Sequence, residues 1–435
     1  MKRIAIIMLC MLPILAAGQT KEEIEAFKKQ QQEGMQSMSD SYRQFADQRL
    51  EEYLNFEKQL KEEYEAFKKE IMEKWGDRAM IESTQKTWVE YGKDKSSRTT
   101  VDFENGKVTV EVLANPNDDD EKVKKQLEEA VNGLMNSKGK TLDFESKVLP
   151  SQPLSDKPIL QGQIDFSKYS DLDLKRNEAA KKEGPTMADK AKVQQEEKAR
   201  KEQEERDRKA REAKLAKGQD KQISQVVVKE EKPVTVPVRT ADGEKKIVKI
   251  EMKLVEDHIP KRAEQFKAHI RSNSQKYSVD EPLIYAIMEQ ESAFNPAARS
   301  HVPAYGLMQL VPKSGGRDAY NYVHKQDKIP SANYLYDPAN NIQLGTGYLQ
   351  LLMTRYFAGV KDPQCRMLCA IAAYNTGAGN VSRAFTGNTN IKKAIPLINK
   401  YSYDELYNHL KSRLPHAETR DYVQKVTSKM TKYKK

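Results

Sequence analysis

The clearest structural and chemical signal in the chain is Ala286-Ile287-Met288-Glu289-Gln290-Glu291-Ser292-Ala293-Phe294-Asn295-Pro296. The pattern predicts an apolar helix that ends in an acid and is followed by a loop. Ile284, Ile287 and Met288 share one helical face, and an acid, Glu291, falls three to four residues further along it. Burial on such a face raises the pKa of a carboxyl, which suits a general acid near neutral pH. A glutamate paired with an arginine, or one capping a helix, is the alternative.

Length and charge limit the classes of partner. The chain has 435 residues, of which 32% are charged, with a formal net charge of +10. So many charged residues indicate that part of the chain cannot bury a core. The positive charge favours an anionic partner such as nucleic acid, a membrane surface or an acidic wall polymer. Basic and acidic residues alternate in most runs and no basic-aromatic module is present, so no nucleic-acid partner is expected.

The amino terminus predicts an export signal. A basic start precedes an apolar run from Ile4 to Ala17, which ends in the small-x-small pattern Ala16-Ala17-Gly18-Gln19. The run is short for a membrane span, so we expect residues 1–18 to be removed before Gln19 and the protein to reach the periplasm. Cys10 follows a leucine inside the run, which argues against a lipobox. No transmembrane anchor is expected, and outer-membrane association is the alternative.

Residues 20–76 predict one long amphipathic helix. This region is almost free of Gly and Pro, and its large side chains recur at spacings of three and four: Tyr42, Phe45, Arg49, Tyr53, Phe56, Leu60, Tyr64, Phe67, Ile71 and Trp75. We expect this stripe to pack on its own domain or on a partner helix, which makes a cell-envelope protein a candidate partner. Membrane adhesion is less favoured because the polar face is mixed in sign.

A small α+β domain is predicted for residues 77–169 and 223–256. Two alternating strands are joined at Asn105-Gly106, and a helix is expected from Asp119 to Asn136. Its predicted buried face carries Val123, Leu127, Val131 and Leu134. Further strand-like segments are Val226–Val228, Thr235–Val238 and Lys246–Val255, the last two forming a hairpin across Ala241-Asp242-Gly243.

A charged insert, residues 170–222, interrupts this domain. Its central part is almost entirely Lys, Arg, Glu, Gln and Ala, so it has helix propensity but no face to bury. We interpret the insert as a solvated helix or a disordered spacer.

Residues 257–435 predict a compact, mainly helical domain, which makes the whole chain α+β. Helices are expected at Ile259–Tyr277, after Ser278–Pro282, at Asn341–Tyr356, at Gln364–Tyr374 and from Glu418 to the end. Cys365 and Cys369 lie four apart on one helical face, where disulfide geometry is awkward, so both are expected to be free and buried. No metal site is expected there because neither His nor a further Cys lies nearby.

Several motifs accompany the helix that carries Glu291. Glu291-Ser292-Ala293-Phe294-Asn295-Pro296 is followed by Ser300, by Gly306-Leu307-Met308-Gln309 and by Ala373-Tyr374-Asn375-Thr376-Gly377. Together they resemble the catalytic domain of the soluble lytic transglycosylase (SLT, goose-lysozyme-like) family. The resemblance covers roughly residues 40–165 and 225–433, and it includes Gly316-Arg317-Asp318, Leu335-Tyr336-Asp337-Pro338 and Pro415-His416-Ala417-Glu418-Thr419-Arg420. Upstream, Trp88–Tyr91 and the Phe103–Val110 hairpin resemble the amino-terminal domain of a membrane-bound family member.

This resemblance implies a lysozyme-like fold and a lyase that acts on the glycan strands of peptidoglycan. The bond cleaved would be the β-1,4 bond between N-acetylmuramic acid and N-acetylglucosamine, leaving a 1,6-anhydro-muramyl end. By matched position, Glu291 protonates the glycosidic oxygen and then removes the proton from the muramic O6 hydroxyl.

The resemblance also implies residues of a substrate groove. Ser300, Gln309 and Tyr374 match positions that line the cleavage site, and Tyr374 is expected to stabilise developing positive charge or to orient the acid. Glu418 and Tyr422 match a motif on the last helix that faces the groove. For these two residues a place in the core is equally compatible with the sequence.

The acids near Glu291 favour a reaction with one carboxyl group. Ordinary glycosidases use two carboxylates, but Glu289 lies about 200° round the helix from Glu291 and should face away. The sequence does not locate Asp318 relative to them. One acid with a nucleophile supplied by the substrate needs no cofactor or metal. The alternatives are a hydrolytic muramidase that uses Glu291 with water, and a non-catalytic wall-binding protein that keeps the groove.

Overall fold

The computed structural model describes residues 21–76, 80–164, 234–241, 243–300 and 304–434. They form two compact units, one made of the described residues up to Phe67 with Ser146–Leu149, the other of Lys68–Glu145 with Pro150–Lys435. The predicted export signal, the charged insert and the segment Val226–Val228 lie outside the described residues.

The helix predicted for residues 20–76 is present as α1, Lys21–Trp75. Within the first unit Leu60 is buried, whereas Leu50 and Leu54 are exposed. Glu63 accepts hydrogen bonds from the Ser146 hydroxyl and from the Lys147 amide, the latter at 3.1 Å. At least one side chain of the predicted amphipathic stripe, that of Leu60, is therefore buried within this unit.

The second unit contains a five-stranded antiparallel sheet. The strands are β1 (Thr87–Tyr91), β2 (Ser97–Asp102), β3 (Lys107–Ala114), β4 (Val234–Thr240) and β5 (Gly243–Lys253). Their order in the sheet is β1-β2-β3-β5-β4. Both predicted hairpins are confirmed, β2 with β3 and β4 with β5.

The loop of the first hairpin is longer than the Asn105-Gly106 pair at which the sequence predicts the turn. Asp102 pairs with Lys107, which leaves a four-residue loop. One carboxylate oxygen of Asp102 accepts from the amides of Glu104 and Asn105, at 3.0 and 2.9 Å. Gly106 closes the loop at φ 67°, a conformation that glycine adopts without steric cost.

Helix α2 (Asp120–Asn136) packs on this sheet. The Asp119 side chain caps it by accepting from the Lys122 amide at 2.7 Å. Its buried residues are the four predicted from the 3.6-residue period: Val123, Leu127, Val131 and Leu134.

The rest of the second unit is helical. Its helices are α3 (His258–Gln265), α4 (Lys267–Tyr277), α5 (Glu281–Ser292), α6 (Arg317–His324), α7 (Ala332–Tyr336), α8 (Pro338–Leu351), α9 (Pro363–Thr376), α10 (Ala378–Thr386), α11 (Ile391–Ile398), α12 (Tyr403–Arg413) and α13 (Ala417–Tyr433). Two π-helical turns, Pro312–Gly316 and Leu352–Tyr356, precede α6 and follow α8. Helix α5 packs against α13 and α4. The predicted α+β class is confirmed.

Two helix boundaries differ from the prediction. The helix predicted at Ile259–Tyr277 is interrupted at Phe266, where φ is −102°, ψ is 0° and the amide bonds to the Ala263 carbonyl at 3.1 Å. This tighter bond ends α3, and α4 begins at the next residue, Lys267. The helix predicted at Asn341–Tyr356 begins earlier, because the Asp337 side chain caps it by accepting from the Asn340 amide at 2.8 Å, and its last turn is π-helical.

Cys365 and Cys369 are free and buried, as predicted. Among the residues that the structure describes, no helix is both long enough and apolar enough to cross a membrane.

Candidate active site

Helix α5 positions Glu291 at the end of a buried apolar segment. The helix begins after Asp280, with Pro282 in its first turn, and ends with Ala293 in the left-handed conformation at φ 49°. Its buried apolar side chains are Leu283, Ile284, Ala286, Ile287 and Met288. Glu291 lies on this buried surface with only 9% of its area exposed. The predicted burial of this acid is therefore confirmed.

The environment of Glu291 keeps its carboxyl protonatable near neutral pH. Burial is the largest influence and raises the pKa to about 7. The Tyr422 hydroxyl donates a hydrogen bond to Oε1 at 2.6 Å, which opposes this rise. The negative charge of Glu418 raises the pKa further, and the positive charge of Lys86 lowers it. The raised pKa predicted from the apolar stripe is confirmed, and Tyr422 is the residue that holds the acid.

Glu289 faces away from Glu291, as its position on the helix predicts. It accepts from Lys429 at 2.9 Å, from Lys432 at 3.1 Å and from the Tyr433 hydroxyl. Burial alone would raise the pKa of Glu289, but these three partners outweigh it and the pKa is lowered. Glu289 is therefore an ionised carboxylate that fastens α13 to α5.

The loop Gly306-Leu307-Met308-Gln309 folds back onto the end of α5. The Ser292 hydroxyl donates to the Leu307 carbonyl at 2.8 Å, and the Met308 amide donates to Asn341 Oδ1 at 2.8 Å. Gly306 has φ 76°, and a Cβ there would overlap the Leu335 carbonyl oxygen. Only glycine therefore fits where the loop meets its neighbours.

Hydrogen bonds from its side-chain amide hold Gln309 in place. Its Nε2 donates to the Ala298 and Gly306 carbonyls at 3.0 and 2.9 Å, and its backbone has φ 47°. Its Oε1 is buried and accepts no hydrogen bond from the described part of the chain. A buried carbonyl oxygen in this state favours a donor from a ligand or from water.

Tyr374 lies close to both the loop and the acid. Its hydroxyl donates to the Met308 carbonyl at 2.8 Å, and its ring lies 5.5 Å from that of Tyr348. Burial, followed by the charge of Glu291, raises the pKa of Tyr374 well above its ordinary value, so the hydroxyl is neutral. The hydroxyl is directed to the loop carbonyl, and the interaction with Glu291 is electrostatic.

A cavity of about 460 Å³ adjoins these residues. Gln309, Tyr374 and Asn375 line it together with Asp318 and Tyr356. Asp318 accepts from the Tyr356 hydroxyl at 3.4 Å, and burial raises its pKa. The structure thus places Asp318, which the sequence does not locate, in the wall of the cavity next to the Gln309 and Tyr374 side chains.

The surroundings of Ser300 and Glu418 differ from those of the buried site residues. Ser300 borders residues 301–303, which lie outside the described residues, and its hydroxyl accepts from the Ala304 amide at 3.3 Å. Glu418 is exposed in the first turn of α13, one turn before Tyr422. The structure therefore brings together Glu291 with Tyr422, and Gln309 with Tyr374, while Ser300 and Glu418 keep their predicted roles as predictions.

Lys86 is a site residue that sequence reasoning missed. It lies just before β1, forms an ion pair with Glu104, and its charge acts on Glu291. The adjacent Gln85 carbonyl accepts from Asn295 Nδ2 at 3.2 Å, which fixes this segment beside the turn after α5. No local motif marks Lys86, since it is about two hundred residues from the acid in sequence.

The described residues contain no group of three or more His, Cys, Asp or Glu side chains that could hold a metal ion. The chemistry that the site can perform is proton transfer by one buried carboxyl, close to Tyr374, which lines the cavity.

The pKa of Glu291 predicts how stability depends on pH. Its folded value of about 7 lies above the ordinary value of 4.5, so the folded state holds a proton that the unfolded state releases between these two pH values. We therefore expect Glu291 to lower the free energy of unfolding as pH rises from 4.5 to 7, by at most about 3 kcal/mol. Glu291→Gln should abolish this loss and stabilise the protein above pH 7, as measured by urea unfolding across the pH range.

Glu289→Gln is the matched control, because the lowered pKa of Glu289 gives the opposite sign. Its ion pairs stabilise the fold above the unfolded pKa and are lost as pH falls. The variant should be less stable than the parent at pH 7, with a difference that shrinks in acid. Equal pH profiles for the parent and Glu291→Gln would contradict the assignment of a raised pKa.

Two parts of the chain match known protein families. Residues 268–395 match the family described as Transglycosylase SLT domain, and residues 53–178 match that described as Membrane-bound lytic murein transglycosylase C, N-terminal domain. A relative named membrane-bound lytic murein transglycosylase C, from Klebsiella pneumoniae subsp. pneumoniae, is 43% identical over 194 residues, or 45% of this chain and 53% of the relative. Its namesake from Salmonella arizonae is 44% identical over 195 residues, with the same coverage.

The chain spans about half the length of these curated relatives. Among solved structures, it is similar to an inactive mutant of the lytic transglycosylase Slt from Pseudomonas aeruginosa, with 29% identity and a TM-score of 0.30 over 38% of this chain and 23% of that chain. The two family matches include the helix of Glu291 and the segment of Lys86. Residues 268–395 are therefore similar to transglycosylase SLT domains, and residues 53–178 to the amino-terminal domain of membrane-bound lytic murein transglycosylase C.

Proposed function

We propose that this protein is a peptidoglycan lytic transglycosylase, a lyase that cleaves the β-1,4 bond between N-acetylmuramic acid and N-acetylglucosamine without water. The observation that carries the proposal is Glu291, a buried acid in an SLT domain with a pKa of about 7. The names of the relatives, lytic murein transglycosylases, support the same activity.

In the first step Glu291 acts as general acid. At neutral pH a carboxyl with a pKa of about 7 is protonated in a large fraction of molecules, so it can donate to the glycosidic oxygen. The bond between the anomeric carbon and that oxygen breaks, and the N-acetylglucosamine side leaves as an alcohol. Positive charge develops on the muramic ring, where the carbonyl of its own N-acetyl group can form a bond to the anomeric carbon.

In the second step the same residue acts as base. The carboxylate left by proton donation removes the proton from the muramic O6 hydroxyl, and O6 attacks the anomeric carbon to close the 1,6-anhydro ring. The bond to the N-acetyl oxygen breaks, and Glu291 is protonated again. Tyr422 stabilises the intermediate carboxylate, because its hydroxyl donates to Oε1 at 2.6 Å.

The other acids near the site support a mechanism with one carboxyl. Glu289 is held by Lys429, Lys432 and Tyr433 on another face of α5. Asp318 lines the adjoining cavity and is hydrogen-bonded to Tyr356. Among the contacts of the described residues, neither Glu289 nor Asp318 is hydrogen-bonded directly to the partners of Glu291. This separation favours a nucleophile that the substrate itself supplies.

A hydrolytic muramidase is the second candidate, and Glu418 is the observation that favours it. Glu418 is exposed, yet its charge acts on Glu291, so it lies within electrostatic range of the acid. A hydrolase would use such a carboxylate to activate water. Hydrolysis therefore predicts that Glu418→Gln loses about as much turnover as Glu291→Gln, whereas transglycosylation predicts a clearly smaller loss.

Mass spectrometry of isolated sacculi digested with the protein tests the proposal. Transglycosylation gives muropeptides with 1,6-anhydro-muramyl ends, each 18 mass units lighter than the hydrolytic product, as expected from the water not added. Reducing muramic ends without anhydro product would refute the proposed reaction and favour the muramidase. Binding of sacculi with no cleavage at all would favour a non-catalytic wall-binding protein.

We place the reaction in the periplasm, because the predicted export signal would deliver the mature chain to the peptidoglycan layer. The proposal also includes a cell-envelope protein partner that binds α1.

A further inference from the structure

We propose that Arg262 is a positioning residue for the catalytic acid, because it fixes the turn directly after Glu291 against the sheet. On this inference the sheet is part of the catalytic apparatus, since it sets where the carboxyl points. The inference rests on the proposed catalytic role of Glu291.

The turn that follows Glu291 is in a conformation that needs support. Ala293 has φ 49° and Phe294 has φ 60°, so two consecutive residues with side chains occupy the left-handed region. This region is unfavourable for residues other than glycine, and it persists where surrounding contacts impose it. Phe294 is fully buried, with its ring 6.3 Å from that of Tyr285, so the turn cannot relax toward solvent.

Arg262 supplies the contact that holds this turn. It is 1% exposed, and its Nε donates to the Ala293 carbonyl at 3.1 Å. Its Nη2 donates to the Phe103 carbonyl at 2.7 Å, and its Nη1 to Gln163 Oε1 at 2.8 Å. One guanidinium therefore joins the loop between β2 and β3, the segment that precedes the insert and the turn after the acid.

The groups that accept hydrogen bonds from Arg262 are themselves fixed in place. Gln163 is fully buried, and its Nε2 donates to the Ile159 carbonyl at 2.7 Å. Arg262 Nη1 also lies 3.1 Å from His258 Nδ1, which must accept because arginine only donates. Burial and the charge of Arg262 lower the pKa of His258 to about 4, so this acceptor is neutral at pH 7. Burial also lowers the pKa of Arg262, to about 9, which leaves it charged.

A second contact links the same turn to the sheet. Asn295 Nδ2 donates to the Gln85 carbonyl at 3.2 Å, and Asn295 Oδ1 accepts from the Ala297 amide at 3.0 Å. Asn295 is thus bonded directly to the segment before β1, and Ala293 is linked to the loop between β2 and β3 through Arg262 of α3. Glu291 lies two residues before Ala293, in the last turn of α5. Contacts that fix the turn after α5 therefore also fix the position of the Glu291 carboxyl.

Small displacements of a catalytic acid reduce turnover strongly. A shift of about 1 Å in a reacting group can cost roughly 100-fold in rate. The Glu291 carboxyl itself accepts a hydrogen bond from the Tyr422 hydroxyl on α13. Loosening the Arg262 contacts should therefore move the carboxyl relative to Tyr422 and to the substrate, lowering kcat while substrate binding in the cavity is retained.

The test compares Arg262→Lys, Gln163→Met and Val110→Ala in the full chain. The lysine keeps the charge, but its three N–H groups cannot replace the four hydrogen bonds of the guanidinium. The methionine keeps the approximate shape of Gln163 but removes its Oε1 acceptor and its Nε2 donor. Val110 is a fully buried β3 residue that is not a hydrogen-bond partner of Arg262, and its truncation weakens the sheet. Unfolding curves first establish the folded fraction of each variant. Then kcat and KM on sacculi are measured per folded molecule.

We expect kcat to fall about tenfold or more in Arg262→Lys and several-fold in Gln163→Met, with KM within about twofold and Val110→Ala close to the parent. Gln163→Met keeps the test decisive if Arg262→Lys does not fold. Parental kcat in both folded variants, or an equal loss in Val110→Ala, would overturn the role of Arg262. A parent protein that cleaves no glycan would instead refute the proposed function, and with it this inference.

Discussion

Replacing Glu291 by glutamine is expected to lower kcat on isolated sacculi by roughly 10²–10⁴-fold, the usual contribution of a general acid or base. Glutamine keeps the shape of the side chain and can still accept from the Tyr422 hydroxyl, which lies 2.6 Å from Oε1. It has no proton to give to the glycosidic oxygen and no carboxylate to take one from O6. Sacculus binding should persist, since the Gln309 and Tyr374 side chains and the cavity are unchanged.

The control for this variant lies on the same helix. Glu289→Gln removes the same charge two residues away, where the carboxylate bonds to Lys429, Lys432 and Tyr433 instead of facing the site. It should lower stability and leave kcat per folded molecule near that of the parent. Unchanged turnover in Glu291→Gln would falsify the proposed mechanism, and an equal loss in both variants would indicate a general effect on α5.

The acid itself was predictable from local pattern. Ile284, Ile287 and Met288 define a buried stripe, and Glu291 continues it, so both burial and a raised pKa follow from helical periodicity. The same geometry correctly predicts that Glu289 faces away. The faces of α2 and the pairing of both hairpins follow in the same way, because each depends on residues close together in sequence.

The partners of the acid were not predictable in this way. For Tyr422 the sequence left a core role and a groove role equally open, and only the packing of α13 on α5 shows its hydroxyl on Glu291. Lys86 and Arg262 gave no signal at all. Arg262 bonds to the carbonyls of Phe103 and Ala293, and backbone carbonyls are present at every residue, so composition cannot mark them.

These distant contacts decide what the acid can do. Burial without these contacts would raise the pKa of Glu291 further and leave it a weaker acid in the first step, because its ionised form would have no support. The Tyr422 hydroxyl and the charge of Lys86 both favour the ionised form, while burial and Glu418 favour the protonated form. A residue that must first give a proton and then take one needs both states accessible near the working pH, and a pKa of about 7 meets that need.

Tyr422→Phe tests this balance directly. The hydroxyl favours the ionised form of Glu291, so its removal should raise the pKa of Glu291 above about 7. Because the protonated acid then persists to higher pH, the alkaline limb of the pH–rate profile should move up by roughly 1 pH unit, the equivalent of one charged hydrogen bond. We also expect kcat to fall about tenfold or more, since the carboxylate formed after proton donation loses its donor and its fixed orientation.

Tyr374→Phe is the matched control, because the two tyrosines are both buried but bond to different groups. The Tyr374 hydroxyl donates to the Met308 carbonyl at 2.8 Å, so its removal changes the loop and not the hydrogen bonding of the acid. This variant should lower kcat while the alkaline limb stays at the parental pH. The comparison is made from kcat/KM on sacculi between pH 5 and 9. An unmoved limb in Tyr422→Phe, or an equal shift in both variants, would mean that the Tyr422 hydroxyl does not set the pKa of Glu291 and that Tyr422 serves only to pack α13 against α5.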